Sequence, residues 1–67
     1  MMVPKYPHIK VKLVGGSGNA FAILGTVLAA LRRGGVSKEE RDIFATEALN
    51  GNYDHLLQMA MKTVHVS

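Results

Sequence analysis

Thr63-Val64-His65-Val66, near the end of the chain, decides between two architectures. Val64 continues the apolar stripe of the helix before it, so the segment can be read as a last helical turn. Thr63 and His65 also alternate with Val64 and Val66, at the period of two that marks a half-buried strand. The choice turns on a second segment. In His8-Ile9-Lys10-Val11-Lys12-Leu13-Val14, Ile9, Val11 and Leu13 share one face, and His8, Lys10 and Lys12 share the other. This strand starts after Pro7 and stops at Gly15-Gly16. An isolated strand is unstable in water, and residues 63–66 are the segment left to pair with it. The two ends of the chain are therefore expected to form a sheet.

Three helices are predicted between them. Gly15-Gly16-Ser17-Gly18-Asn19 breaks the chain, and Ser17 or Asn19 can cap the helix that follows. That helix spans about Ala20 to Arg33 and stops at Gly34-Gly35. At 100° per residue, Phe21, Ile23, Leu24, Val27, Leu28 and Leu31 make one broad core face. The opposite face carries Ala22, Gly25, Thr26 and Ala29, ending in Arg33, where a solvated helix would show Lys and Glu. Small residues let a second backbone approach closely. Ser37-Lys38-Glu39-Glu40 matches a capping box, in which Ser37 and Glu40 satisfy each other's free N–H groups. It opens a helix to about Asn50, with Ile43, Phe44, Ala48 and Leu49 as its apolar stripe. A third helix begins near Asn52 after Gly51. Its Tyr53, Leu56, Leu57, Ala60 and Met61 fall at i, i+3, i+4, i+7 and i+8. The expected fold is α+β, in the order β-α-α-α-β. A two-stranded sheet of terminal strands packs on three short helices and is completed by dimerisation. Residues 1–67 form one small domain, with residues 1–7 as an extended or flexible lead-in.

Composition narrows the function classes. A 67-residue chain without cysteine has no disulfide and no thiolate for zinc or an iron–sulfur cluster. At 48% hydrophobic it is too apolar for a disordered segment. It is also rather apolar for a small monomer, which suggests a partner. Met1 to Pro7 has no apolar segment of the signal-peptide kind. The twelve-residue run Ala20–Leu31 is shorter than the ~17–25 residues needed to span a bilayer. These features predict a cytoplasmic protein that does not engage a membrane. Residues 1–38 hold six basic residues and no acid, while residues 39–67 hold two basic residues against five acids. Such a split can draw an anion to one end, make two copies complementary, or simply solvate opposite faces.

The candidate sites follow from these patterns. The turn Gly16-Ser17-Gly18-Asn19 leads from a strand into a helix, as phosphate-holding turns do, and Lys10, Lys12, Arg32 and Arg33 could add charge. Its spacing is neither G-x-G-x-x-G nor a P-loop, and glycines there also serve as a plain tight connection. His8, His55 and His65 show no metal-ligand spacing, although His8 and His65 would become neighbours if the terminal strands pair in that register. Tyr53-Asp54-His55 joins a phenol, a carboxylate and an imidazole, but consecutive helical residues diverge by 100°. Ser17 lacks the G-x-S-x-G elbow. No catalytic residue, metal site or cofactor is expected.

Gly18-Asn19-Ala20-Phe21-Ala22-Ile23-Leu24-Gly25 and Gly51-Asn52-Tyr53-Asp54-His55-Leu56-Leu57 resemble the helix starts of a group of very small bacterial and phage proteins. That group carries a basic first strand, G-N-A-F-x-I-L-G and G-D-Y-D-x-L-L. The resemblance extends from about Lys10 to Val66; Ser17 and Asn52 stand where the group is expected to carry acids. It implies a phage or prophage setting and brings no known activity with it. The resulting expectation is a non-enzymatic, homo-oligomeric interaction module, a dimer through Ala22, Gly25, Thr26 and Ala29, acting on a host protein. The alternative is a small basic protein that binds nucleic acid or a nucleotide through Lys10, Lys12, the Gly16–Asn19 turn, Arg32 and Arg33.

Overall fold

A computed structural model describes residues 3–12 and 20–66. Its order is β1 (Tyr6–Val11), α1 (Ala20–Arg33), α2 (Lys38–Ala48), α3 (Tyr53–Thr63) and β2 (Val64–Val66). The terminal strands pair, and they do so in parallel. Parallel neighbours need a long crossover to bring the chain back to the same end of the sheet, and here the three helices supply it. The fold is α+β, with a two-stranded sheet against a helical layer.

β1 begins at Tyr6, earlier than the alternation from His8 suggests, and Leu13 and Val14 lie outside the described residues. Pro7 has no N–H to give to a ladder, and the register shifts between Tyr6, opposite Val64, and Lys10, opposite His65. His65 is thus matched to Lys10, and the His8–His65 pairing does not form. Ahead of the strand, the Lys5 N–H donates to the Lys62 carbonyl at 2.8 Å. This satisfies one of the carbonyls that the end of α3 would otherwise leave open. α3 therefore passes into β2 without a glycine stop: Val64 is already extended, at φ −131° and ψ 164°.

α1 ends in a Schellman motif. The Val36 N–H reaches the Leu31 carbonyl and the Gly35 N–H reaches the Arg32 carbonyl, with Gly35 at φ +86°. Gly34 is needed for a different reason. A Cβ there would stand 2.5 Å from Ile9 Cδ1, so a side chain would force Ile9 or the last turn of α1 to shift. α2 and α3 start on caps: Ser37 Oγ accepts from the Glu40 N–H, and Asn52 Oδ1 accepts from the His55 N–H. The reciprocal half of the expected capping box is replaced, because the Glu40 carboxylate accepts from Lys5 Nζ at 3.1 Å.

The core joins Ile9, Val11 and Val64 of the sheet to Ile23, Leu24, Val27, Ala30 and Leu31 of α1, Phe44 and Ala48 of α2, and Leu56 and Ala60 of α3. Several expected core residues lie outside it. The buried stripe of α1 is centred between Val27 and Leu31 and includes Ala30. Phe21 falls about 100° from that centre at 100° per residue and is 73% exposed. On α2, Ile43 and Leu49 face outward and only Phe44 and Ala48 are buried. α3 is rolled toward Thr63, leaving Tyr53 and Met61 exposed. Thr63 can be buried because its hydroxyl donates to the Met59 carbonyl at 2.7 Å, which removes the penalty of an unpaired polar group.

Candidate functional site

The small residues of α1 are uncovered. Ala22, Gly25, Thr26 and Ala29 are all exposed, on the side of the helix opposite Val27 and Leu31. Thr26 adds little polarity, because its hydroxyl donates to the Ala22 carbonyl one turn back. A Cβ at Gly25 would meet nothing within 4 Å among the described residues. A glycine in the middle of a helix costs roughly 0.5–1 kcal/mol relative to alanine. Nothing in the described packing of this chain requires that cost. Arg32 and Arg33 close the face, exposed and without an ion-pair partner among the described residues.

α2 packs beside α1 and turns a different surface outward. Glu39, Asp42, Ile43 and Thr46 are exposed along it, and Ile43 is 57% exposed. Asp42 accepts from Lys38 Nζ at 3.2 Å one turn away, a solvent-screened pair of small energetic weight. Glu39 has no ion-pair partner among the described residues. Ile43 is the residue that periodicity misplaces. Glu39, Asp42 and Thr46 lie on its side of the helix, and that polar company marks an outward position.

The basic residues of β1 do not form one tight cluster with the arginines by any described contact. Lys10 and Lys12 are exposed, with Lys10 on the face of β1 opposite the buried Ile9 and Val11. Gly16, Ser17, Gly18 and Asn19 lie outside the described residues. Lys5 is held by Glu40, and that hydrogen bond raises its ammonium above the usual lysine range.

The Lys5–Glu40 pair lines a cavity of about 140 Å³, walled by Leu31, Val36, Phe44 and Met59. Cofactor and drug-sized pockets run to roughly 300–1,000 Å³, so this one has room for a single ring or a branched side chain. His55 is committed to structure: its Nε2–H donates to the Glu47 carbonyl at 2.8 Å and ties the end of α2 to the start of α3. Tyr53, Asp54 and His55 make no mutual contact of the kind a relay requires among the described interactions. No group of three or more His, Asp or Glu is placed to hold a metal ion among the described residues. No described helix is long and apolar enough to cross a membrane. Comparison with protein families, with curated proteins and with solved structures finds no match to this chain.

Proposed function

We propose that this protein is a non-enzymatic, self-associating interaction module, dimeric and cytoplasmic, and that it acts by engaging a host protein in a phage or prophage setting. The observation that carries the reading is the outer face of α1, where Ala22, Gly25, Thr26 and Ala29 are exposed with no charge before Arg32. A helix of a solvated monomer would place charged residues there. A partner's backbone would instead find small residues over which it can pack closely. The dimer leaves the remaining surface for a further protein. Light scattering on the eluting protein tests self-association. Wild type should run at twice the chain mass, and Ala29→Glu should run as a folded monomer. Wild type that stays monomeric at high micromolar concentration would overturn the reading.

A second reading rests on the exposed Arg32 and Arg33, which have no ion-pair partner among the described residues, together with Lys10 and Lys12. It makes the protein a binder of nucleic acid or a nucleotide, with an affinity that falls steeply as salt rises. Binding to single strands, duplexes or nucleotides that is absent or indifferent to salt removes it.

A further inference from the structure

Resting on the self-association reading above, we propose a specific docking mode: the outer face of α1 lies antiparallel on the outer face of α2 of a second copy. Three observations select α2 as the occupant. The first is charge. α1 ends in Arg32 and Arg33, and the first turns of α2 expose Glu39 and Asp42; Asp42 is paired with Lys38, whereas none of Arg32, Arg33 and Glu39 has an ion-pair partner among the described residues. Antiparallel packing puts the basic end of α1 beside the acidic start of the other copy's α2. It also brings the negative end of one helix dipole to the positive end of the other.

The second is spacing. With Arg33 level with Glu39, Ala29 and Ile43 are also level, because four residues separate each pair along its helix. Thr26 then meets Thr46, and Ala22 reaches the half-exposed Leu49. From Ala22 to Arg33 α1 rises ~16 Å, and from Glu39 to Leu49 α2 rises ~15 Å, at about 1.5 Å per residue. The two faces match in length as well as in sign.

The third is shape. Ile43 is an exposed, branched side chain on a polar helix, and Gly25 is a mid-helix glycine that the packing of its own chain does not need. In this register Ile43 projects over the small Ala29, and Gly25, one turn further along and level with Glu47, lets the two backbones approach closely. A two-fold axis makes the contact twice, α1 on the partner's α2 and α2 on the partner's α1. A specific interface at the low end of the usual range buries about 1,200 Å² in all, or about 600 Å² per copy. Against a chain surface of 4552 Å², that is a share two adjacent helix faces can supply.

Charge exchange tests the pairing. In Arg32→Glu/Arg33→Glu, both outer faces become acidic; in Glu39→Lys/Asp42→Lys, both become basic. Each variant alone should dissociate, with self-affinity weakened by about 100-fold or more, as like charges brought together require. An equimolar mixture should form the heterodimer, because each altered face then meets its complement. Sedimentation velocity with one variant labelled reads all three samples. A variant that still dimerises alone, or a mixture that stays monomeric, overturns this docking mode while leaving self-association intact. Monomeric wild type overturns both readings. Gly25→Leu gives a second, independent arm. It replaces a poor helix former, so circular dichroism should show a folded chain, while the added side chain holds the two helices apart and the dimer is lost. A Gly25→Leu dimer of wild-type affinity would also overturn the proposal.

Discussion

Gly34→Ala should destabilise the wild-type chain, and the loss should shrink or vanish once Ile9 is trimmed. The added methyl would lie 2.5 Å from Ile9 Cδ1 and 2.9 Å from Ile9 Cγ1, where carbon atoms rest at about 3.5–4.0 Å. Ile9 is only 6% exposed, so it has little free space into which to retreat, and a β-branched side chain is stiff at χ1. Overpacking of this kind costs about 1–3 kcal/mol. Only Gly35 among the described residues has a left-handed backbone, so alanine at 34 is not strained. It also gains about 0.4–1 kcal/mol by narrowing the unfolded ensemble. The net expectation is a loss of about 1–2 kcal/mol, or roughly 4–8 °C in melting temperature per kcal/mol for a domain of this size. Ile9→Val costs about 0.5–1.5 kcal/mol by itself and removes the worst contact, so Gly34→Ala should cost less in that background. Ile9→Ala removes both contacts, and there Gly34→Ala should be neutral or stabilising. Ile9→Ala comes near the total stability of about 3–10 kcal/mol for 67 residues, so that arm is run in sucrose, which strengthens burial. Urea unfolding followed at 222 nm, at one fixed protein concentration, gives the four corners of the cycle. If the Gly34→Ala losses agree across backgrounds within about 0.5 kcal/mol, the end of α1 does not rest on Ile9 and the packing of β1 described above is wrong.

Two other perturbations probe the joints of the fold. His55→Ala should cost about 0.5–1.5 kcal/mol through the lost bond to the Glu47 carbonyl. Gly51→Ala should cost less in that variant than in wild type, because two of the three close contacts of its Cβ are with the His55 ring; additive losses in urea would show that the ring does not lie against Gly51. The Lys5–Glu40 pair predicts a pH dependence. Its ammonium is raised above 10.5 by the hydrogen bond and charge of Glu40. The contribution is therefore fully present below the unfolded value of 10.5 and is lost as pH rises through the higher folded value. The urea midpoints of wild type and Lys5→Gln should differ at neutral pH and converge above 10.5; a gap that persists there would detach the pair from Lys5 ionisation.

Much of the architecture is legible in the residues because its signals are local. Ser37 and Asn52 announce helix starts, Gly34-Gly35 announces an end, and alternation marks both strands. What is not local is less visible. The parallel direction of the sheet follows from where α3 delivers the chain, and the early start of β1 follows from the Lys5 bond to Lys62 and the register shift that Pro7 permits. Helix rotation is also a tertiary property. Periodicity places Tyr53 and Met61 inward, yet α3 turns toward Thr63, whose polar side chain looks like a surface residue until its bond to Met59 is seen.

The same distinction explains why the candidate interface was half visible. Ala22, Gly25, Thr26 and Ala29 stand out as an uncharged side of α1 in the sequence alone. Phe21 and Ile43 look like core residues, because apolarity carries no label for inside or interface. Their exposure becomes evident only when Ala30 takes a buried place on α1 and the stripe of α2 narrows to Phe44 and Ala48. Once that exchange is made, the residues that break local rules fall on the outer faces of two neighbouring helices: a glycine where alanine would be more stable, and an isoleucine among Glu39, Asp42 and Thr46. A single anomaly can be a tolerated defect. Two anomalies of opposite shape, a gap on one helix and a projection on the next, with charges of opposite sign at the ends that meet, are what a self-complementary contact requires. The alternative, a monomer that binds nucleic acid, accounts for Arg32 and Arg33 but gives no role to Gly25 or Ile43.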